Sequence, residues 1–460
     1  MRQKGKVAGM KRILWQARWL ALISCIFPVG VRAQEPLTLG EAIQAALKQS
    51  PDIDAVRADL ENARASVSLA RTQFLPQVNF TEDMSRGNDP VYVFGTRLRQ
   101  QNFTQADFAL NELNTPDPIG NFATRISGDW LLFDSLRTQR SVHGAELMQK
   151  SAASSAKAAD QKTVFDVVQA YQGILYAERR VEVAEHELET AEALLSSADD
   201  HVKAGLAVES DRMSAQVNVA ERNQGLIEAQ GDLELAWAQL RVAMGSPELK
   251  ASTLRPIELK NFAESSLDQE LETAGRNRQD LESLGEAQSA QAEAESAARM
   301  SFGPNVSAYG NWEDDRQTLG GQGGDNWVAG VRIDVDIFPF SKRAQLEKEK
   351  AARARVDAQV TSYRQQVRFQ VTRAHIQRET AQLSLETARA AIDQATESLR
   401  ILKNRYEAGL ATMTDLLRAE DAEREAQMNY WHAVYGNTMA YAQLLFATGT
   451  LTPDAAEELQ

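Results

Sequence analysis

The sequence contains one cysteine, Cys25, in 460 residues, so no disulfide bond can form within the chain. Cys25 lies in an apolar run, WLALISCIFPVGV (19–31), that follows several basic residues and ends at Val31-Arg32-Ala33, a small-residue cleavage pattern. This order predicts a secretory signal peptide at residues 1–33. Leu22-Ile23-Ser24-Cys25 also resembles a lipobox, in which Cys25 would be lipidated. The apolar residues after Cys25 favour ordinary cleavage.

Long apolar runs and excess positive charge are missing as well. After residue 33, no apolar run reaches the roughly 20 residues that a membrane-spanning helix needs, so any membrane crossing would be made by strands. The formal net charge is −14, and it becomes more negative without residues 1–33, which hold basic residues and no acidic ones. This acidity argues against nucleic acid as a partner.

The residues of common catalytic and metal sites are also scarce. The five histidines show no metal-ligand spacing, and the chain after residue 33 has no nucleophilic cysteine and no Gly-x-Ser-x-Gly turn. The sequence therefore predicts that the protein is not an enzyme and uses neither a cofactor nor a metal.

Proline is absent from residues 119–246 and from residues 340–452. Both stretches are rich in Ala, Glu, Gln, Leu and Arg, which favour helices. Their apolar residues recur at helical spacing, and the series from Val181 to Leu195 keeps the period of about 3.5 residues that is typical of coiled coils. Because the apolar stripe is narrow, the pattern predicts long paired helices and not the interior of a globular domain.

A short phrase occurs twice, as KAGLAVESDRMSA (203–215) and EAGLATMTDLLRA (407–419). Other segments repeat in the same order: FLPQV is matched by FGPNV, and LFDSLR by IFPFSKR. A period of about 200 residues indicates a tandem duplication. We expect the first structural repeat at residues 34–250, the second at 251–450, and a C-terminal tail at 451–460.

Each copy of the phrase predicts the tip of a helical hairpin. Gly205 and Gly409 are well placed to adopt the left-handed conformation that ends a helix, with Leu206 and Leu410 giving the apolar contact that often follows. Residues 412–415 (TMTD) then fit the Thr-x-x-Asp start of the next helix.

Strands are predicted in pairs at about 76–134 and 304–338, where apolar and polar residues alternate. The clearest alternation runs from Trp327 to Ile337. Period two suits membrane strands between lipid and water, and Trp130, Trp312 and Trp327 suit an interfacial aromatic girdle. A soluble sheet on a helical core is the competing interpretation, but the long helices offer no broad apolar face to cover it.

The number of strands bears on assembly. Four strands are too few for a closed membrane barrel, since the smallest have about eight, and open edges are not tolerated in lipid. The chain is therefore predicted to oligomerise, and three copies would supply twelve strands.

Together these features resemble the TolC-type outer-membrane efflux proteins. The resemblance extends from LTLGEAIQAAL (37–47) to Gly449, and it rests on the two tip phrases, the paired helix-to-strand junctions and the WLLFD junction back to helix. It implies a mainly α fold with membrane β structure and an internal tandem duplication. Three chains would form a 12-stranded β-barrel, four strands per chain, continuous with a long α-helical barrel.

The resemblance also implies a function. Such a homotrimer lies in the outer membrane of a Gram-negative bacterium and extends into the periplasm. It is the passive exit duct of a tripartite efflux pump or a type I secretion system, and it contacts outer-membrane lipid, a periplasmic adaptor and an inner-membrane transporter. The alternative is a soluble periplasmic coiled-coil adaptor or scaffold protein. That class would have one helical hairpin and no lipid-facing strands, so the duplicated strand pairs count against it.

The tips carry the predicted functional residues. In the resemblance, Gly205, Leu206, Gly409 and Leu410 form the periplasmic tips that dock the adaptor. The candidate gate is Asp211, Tyr406 and Asp415, with Tyr406 matching a tyrosine involved in tip-to-tip contacts. Asp211 and Asp415 lie in the first turns of helices, where a carboxylate complements the helix dipole. A ring of acidic side chains that narrows the duct is the second interpretation, and for Asp415 both stay open.

The segment at about 82–121 is longer than its counterpart at 314–326. Both are expected on the exterior, because the helices must share the periplasmic side. The longer segment is expected to fold over the mouth of the duct.

Overall fold

The structure is a computed structural model that describes residues 36–205, 207–256 and 265–459. The predicted signal peptide, with Cys25, and the tip residue Leu206 lie outside the described residues. The helices are α1 Leu39–Gln49, α2 Pro51–Thr72, α3 Pro90–Arg99, α4 Leu110–Asn114, α5 Arg137–Lys203, α6 Glu209–Ala243, α7 Leu267–Asn277, α8 Gln279–Met300, α9 Phe340–Glu407, α10 Met413–Thr448 and α11 Pro453–Glu457. The strands are β1 Gln77–Gly87, β2 Ile119–Phe133, β3 Asn305–Arg316 and β4 Gly323–Asp334.

Two long helical hairpins dominate the fold, as the sequence predicts. α5 has 67 residues and packs against α6, while α9 has 68 residues and packs against α10. At 1.5 Å per residue each long arm extends about 100 Å. Within the described ranges, no helix combines the length and the apolar composition that crossing a membrane requires.

The two halves of the chain repeat one order of elements. The first half runs α1, α2, β1, β2, α5 and α6, with additional short helices between β1 and β2, and the second runs α7, α8, β3, β4, α9 and α10. α2 and α8 both pack on α5, and α8 also packs on α9. The internal duplication predicted from sequence is therefore present in the fold.

In each half, the end of the hairpin packs against a kink between the two opening helices. The kinks lie at Gln49–Ser50 and at Asn277–Arg278. Gly245 (φ +64°) and Gly449 (φ +73°) follow the last helices of the hairpins. A Cβ at Gly245 would lie 2.7 Å from the carbonyl oxygen of Gln49, and one at Gly449 would lie 2.9 Å from the carbonyl carbon of Asn277. Both the positive φ and the close approach require glycine at these two positions.

The four strands form one antiparallel sheet in the order β1-β2-β3-β4. The alternation predicted to continue to Ile337 ends earlier, at Asp334, because Asp334 pairs with Asn305, the first residue of β3. Val335 and Ile337 therefore have no partner in the ladder and lead into α9.

The two faces of the sheet differ sharply. One face carries exposed apolar side chains, among them Phe80, Trp327 and Ile333, each about two-thirds exposed or more. The opposite face carries polar side chains such as Asn121, Arg125 and Glu313. This is the division that the sequence predicts for strands between lipid and water.

The main apolar core lies where α1 packs against α5, α6 and the C-terminal residues. Tyr171 is fully buried there, and its hydroxyl donates to the carbonyl oxygen of Leu37 over 2.8 Å. The segment expected to be a tail is part of this core, because Leu451, Ala456 and Leu459 are almost completely buried.

Candidate functional site at the hairpin tips

The backbone of both tips turns at glycine, as predicted. Gly205 has φ +75° and Gly409 has φ +71°, and a Cβ at either position would meet no atom within 4 Å. The second tip is closed by two backbone hydrogen bonds: Gly409 donates to the carbonyl of Tyr406 over 2.9 Å, and Leu410 donates to that of Arg405 over 2.8 Å. Glycine is therefore required by the left-handed backbone and not by lack of space.

The expected apolar contact after the glycine stays a prediction for Leu410, whose side chain is 69% exposed. The other tip leucine, Leu206, lies outside the described residues. Their role in adaptor docking stays a prediction.

Asp415 forms a capping box with Thr412 at the start of α10. Asp415 N donates to Thr412 Oγ1 over 3.2 Å, and Thr412 N and Oγ1 donate to Asp415 Oδ2 over 3.2 and 2.6 Å. These hydrogen bonds lower the pKa of Asp415, with a smaller contribution from nearby arginines. The contacts are those of a helix-start residue. A role in the gate stays a prediction.

The first tip lacks this arrangement. Val208 stands at the cap of α6 and has no side chain that could accept a hydrogen bond, and Asp211 N donates to the carbonyl of Val208 over 3.0 Å. Glu209 instead pairs with Arg212, which also approaches Asp199. The two tips therefore share a backbone turn but not a set of side-chain contacts.

Tyr406 joins the two tips of one chain. Its side chain is 7% exposed and packs in an apolar cluster with Leu194 and Ala198 of the first hairpin and Leu416 of the second. Its ring centroid lies 5.7 Å from that of His201. Tyr406 thus makes a contact between the two hairpins near their tips, and the tip-to-tip role that the resemblance implies stays a prediction. The contact that the structure describes lies within the chain.

The Tyr406 hydroxyl is buried and has no hydrogen-bond partner in the described chain. Burial raises the pKa of Tyr406, and the negative charge of Asp211 raises it further. The structure therefore brings Tyr406 and Asp211, two of the three candidate gate residues, into one electrostatic environment at the junction of the hairpins.

A charged contact between the hairpins was not found from the sequence. Arg222 of α6 is 13% exposed, and its Nη2 lies 2.6 Å from Oδ1 of Asp421 of α10. Nη1 lies 4.0 Å from Glu187 of α5. An alignment of the two repeats on the repeated phrase contains a signal for it: Arg222 falls opposite Ala426.

Partly buried carboxyl groups lie near this contact. Burial raises the pKa of Glu187 and of Glu420, and the positive charge of Arg222 partly opposes both shifts. Arg424 opposes the shift at Glu187 and Lys403 opposes the shift at Glu420, each less strongly than Arg222. Arg222 is therefore the main positive charge for both groups, and it pairs with Asp421 at the face where the hairpins meet.

No group of three His, Cys, Asp or Glu side chains in the described ranges is arranged to hold a metal ion. The histidine with the closest carboxylate is His375 of α9, whose Nδ1 lies 2.9 Å from Glu270 of α7. This pair links two helices, and it is far in sequence from both tips.

Comparison with known proteins places the chain in a family. Protein CyaE of Bordetella pertussis is 26% identical over 425 residues, which cover 91% of this chain and 85% of that protein. Outer membrane efflux protein BepC of Brucella suis is 22% identical over 422 residues, covering 91% and 86%. The solved outer membrane channel CmeC of Campylobacter jejuni superposes with a TM-score of 0.78 at 18% identity, covering 90% of this chain and 86% of that one. The profile of the outer membrane efflux protein family matches residues 42–246 and 263–450, and the chain belongs to that family.

Proposed function

We propose that three copies of this chain form a passive exit duct, without a catalytic step, that leads from the periplasm through the outer membrane. The observation that best supports this proposal is the sheet, which has one exposed apolar face and one polar face. The sheet is connected directly to two hairpins whose long arms each extend about 100 Å. Such a sheet fits a wall between lipid and a water-filled lumen.

The free edges of the sheet support the trimer. β1 and β4 stand at the two ends of the strand order, so each has an unpaired side in a single chain. In lipid, such edges must be paired. Three copies joined edge to edge would make a 12-stranded barrel, and the hairpins would continue it as an α-helical barrel. Residues 1–33 would direct export as a signal peptide, and residues 34–250 and 251–450 would be the two repeats of each wall segment.

We infer that the duct works with a periplasmic adaptor and an inner-membrane transporter. Relatives carry names from both transport classes: BepC is an efflux protein, and AprF of Pseudomonas aeruginosa, 22% identical over 427 residues, is an alkaline protease secretion protein. The adaptor would engage the tips around Gly205, Leu206, Gly409 and Leu410. The side chain of Leu410 is exposed and available for such a contact.

The gate would lie where the two hairpins meet. Tyr406 and Asp211 fill the junction near the tips, and Arg222 with Asp421 holds the hairpins together farther along them. Asp415 would add negative charge at the entrance while capping α10. Separation of the hairpins after docking would then open the duct.

The assembly can be tested on protein extracted from outer membranes. The alternative, a soluble periplasmic adaptor or scaffold, should be released by a salt wash, whereas the duct should require detergent. Light scattering on the purified protein should give three times the mass of one chain, and the same preparation should form channels in planar bilayers. A monomer that conducts, or release without detergent, would overturn the proposal.

A further inference from the structure

The segment between β1 and β2 folds back onto the sheet. It contains α3, a short 3-10 helix at Gln105–Phe108, and α4. Side chains and carbonyls of α3 and the residues after it contact all four strands. Tyr92 bonds to Ser85 of β1 over 2.8 Å, and Gln100 donates to Asn121 of β2 over 2.8 Å.

The contacts continue across the other two strands. Arg99 lies 3.7 Å from the carboxylate of Glu313 in β3, and Asn326 of β4 donates to the Arg99 carbonyl over 3.1 Å. Gln101, whose φ is +55°, donates to the carbonyl of Asp325 over 3.1 Å. α3 therefore crosses the sheet from β1 to β4.

All the side chains that α3 meets belong to the polar face. Asn121 is on the same side of β2 as Ala123, which pairs with Asp315, and Glu313 pairs with Asn326. Asn121 donates to Asp315 over 2.5 Å, and Arg125 donates to Glu313 over 2.9 Å. Asn121, Glu313 and Asp315 are buried on this face and Arg125 is partly buried, while the apolar face opposite is exposed. This inference rests on the proposed duct: with the apolar face against lipid, the segment lies on the lumen side.

The fit of the segment to the sheet is close. Asp315 is fully buried, and Thr96 and Gln100 of the segment are 0% and 4% exposed. A Cβ at Gly324 would lie 2.4 Å from the carbonyl oxygen of Arg99, so the strand and the segment touch through their backbones. Among the buried charges, Glu313 pairs with Arg99 and Arg125, and Asp107 pairs with Arg97, as expected for a docked arrangement and not for a loop free in solvent. Asp315 accepts a hydrogen bond from Asn121 through one carboxylate oxygen, and its other oxygen has no hydrogen-bond partner in the described residues.

We propose that residues 90–114 lie inside the outer mouth of the duct and form a second closure, separate from the periplasmic tips. Twelve strands about 4.8 Å apart, tilted by about 40°, enclose a bore of about 24 Å in diameter, measured between the strand backbones. A helix with its side chains is about 10–12 Å wide, so three copies of α3 on the inner wall fill such a bore.

The exposed surface of the segment includes large apolar side chains. Val91, Phe108 and Leu110 are 81%, 62% and 76% exposed in the single chain. Phe108 is braced by edge-to-face contacts with Phe94 and Phe103. Inside a closed barrel, the surface opposite this patch is the same segment of the other two copies. The apolar patches therefore meet near the axis and exclude water and solutes until the segment is displaced.

The closure can be tested from outside the cell, independently of the periplasmic tips. With Cys25→Ser as background, Asn79→Cys places a thiol on the polar face of β1, nearer the periplasmic end than the segment. A membrane-impermeant maleimide on a bulky polymer should label it slowly. Arg99→Ala combined with Gln100→Ala removes two anchors and should raise the labelling rate by roughly tenfold, since the equilibrium shifts towards the displaced segment. Asn114→Ala, exposed in the same segment, should not change the rate.

A second measurement covers the case in which the double variant does not fold. Leu110→Cys in the same background should form disulfide-linked dimers of the chain on mild oxidation, whereas Ile333→Cys, equally exposed on the apolar face, should not. Fast labelling of Asn79→Cys with the segment intact, or Leu110→Cys that does not cross-link in folded trimers, would overturn the proposal.

Discussion

Replacement of Arg222 by glutamine should loosen the joint between the two hairpins and raise the resting conductance of the duct. The guanidinium lies 2.6 Å from Asp421 and 4.0 Å from Glu187, and the side chain is 13% exposed. Glutamine keeps much of the side-chain length and some hydrogen-bonding capacity but removes the charge. The carboxyl groups that meet at this face then repel one another with less compensation, since Arg424 and Lys403 remain as the weaker nearby positive charges.

The size of the effect follows from burial. Loss of one member of a largely buried, hydrogen-bonded charge pair costs about 2–5 kcal/mol. Asp421 is 53% exposed, so water recovers part of its solvation. We therefore expect a loss of about 1–3 kcal/mol, which shifts the equilibrium between joined and separated hairpins by roughly 5- to 150-fold.

Single-channel recording of purified trimers in planar bilayers measures this shift as time spent in the open state. The matched control is Arg400→Gln, which breaks the exposed pair with Glu397 on α9. An exposed pair contributes little, so this control should behave as wild type. If intact trimers of both variants show the same open time as wild type, the charged contact does not hold the duct closed and the reasoning is refuted.

The remaining predictions concern the tips and the effect of pH. Gly409→Val should abolish export while trimers still reach the outer membrane, because valine tolerates φ +71° poorly; Gly436→Ala inside α10 should leave export intact in the same assay. Asp415→Asn should reduce cation selectivity in bilayers with the helix start retained, and Asp415→Ala should also lower the melting temperature; unchanged selectivity in both would assign Asp415 to the capping box alone. Burial raises the pKa values of Glu187 and Glu420, so the joined hairpins bind protons more readily than separated ones. The resting open time should therefore increase as pH rises above the ordinary glutamate range, and a flat profile would contradict this.

The hairpins and the sheet could be predicted because their signals are local. Absence of proline, helical spacing and glycine at Gly205 and Gly409 define each hairpin within a continuous stretch. The end of β4 could not be predicted, because alternation continues to Ile337 and only the start of β3 at Asn305 determines where the ladder stops. The exposure of Leu410 could not be predicted for a related reason: a capping pattern does not tell how much of a side chain its neighbours cover.

The functional contacts that were missed join residues distant in the sequence. Arg222 and Asp421 are ordinary charged residues on helix surfaces until the hairpins are packed together. Likewise, the segment after β1 was expected to fold over the mouth, but its position against the polar face depends on side chains from all four strands. A pattern along one element does not contain such information.

Gly245 and Gly449 bring the end of each hairpin close to the backbone of the kinks at Gln49–Ser50 and Asn277–Arg278, so a rigid rotation of a hairpin would have its pivot there. α10 has 36 residues, so the second tip lies about 50 Å from Gly449. A rotation of only about 5° at such a pivot moves the tip by about 4 Å, comparable with the small helix shifts that switch other proteins. A side chain at Gly449 would change the contact about which the hairpin rotates and not the length of the hairpin. It should therefore change how far the tips move, although it lies far from them.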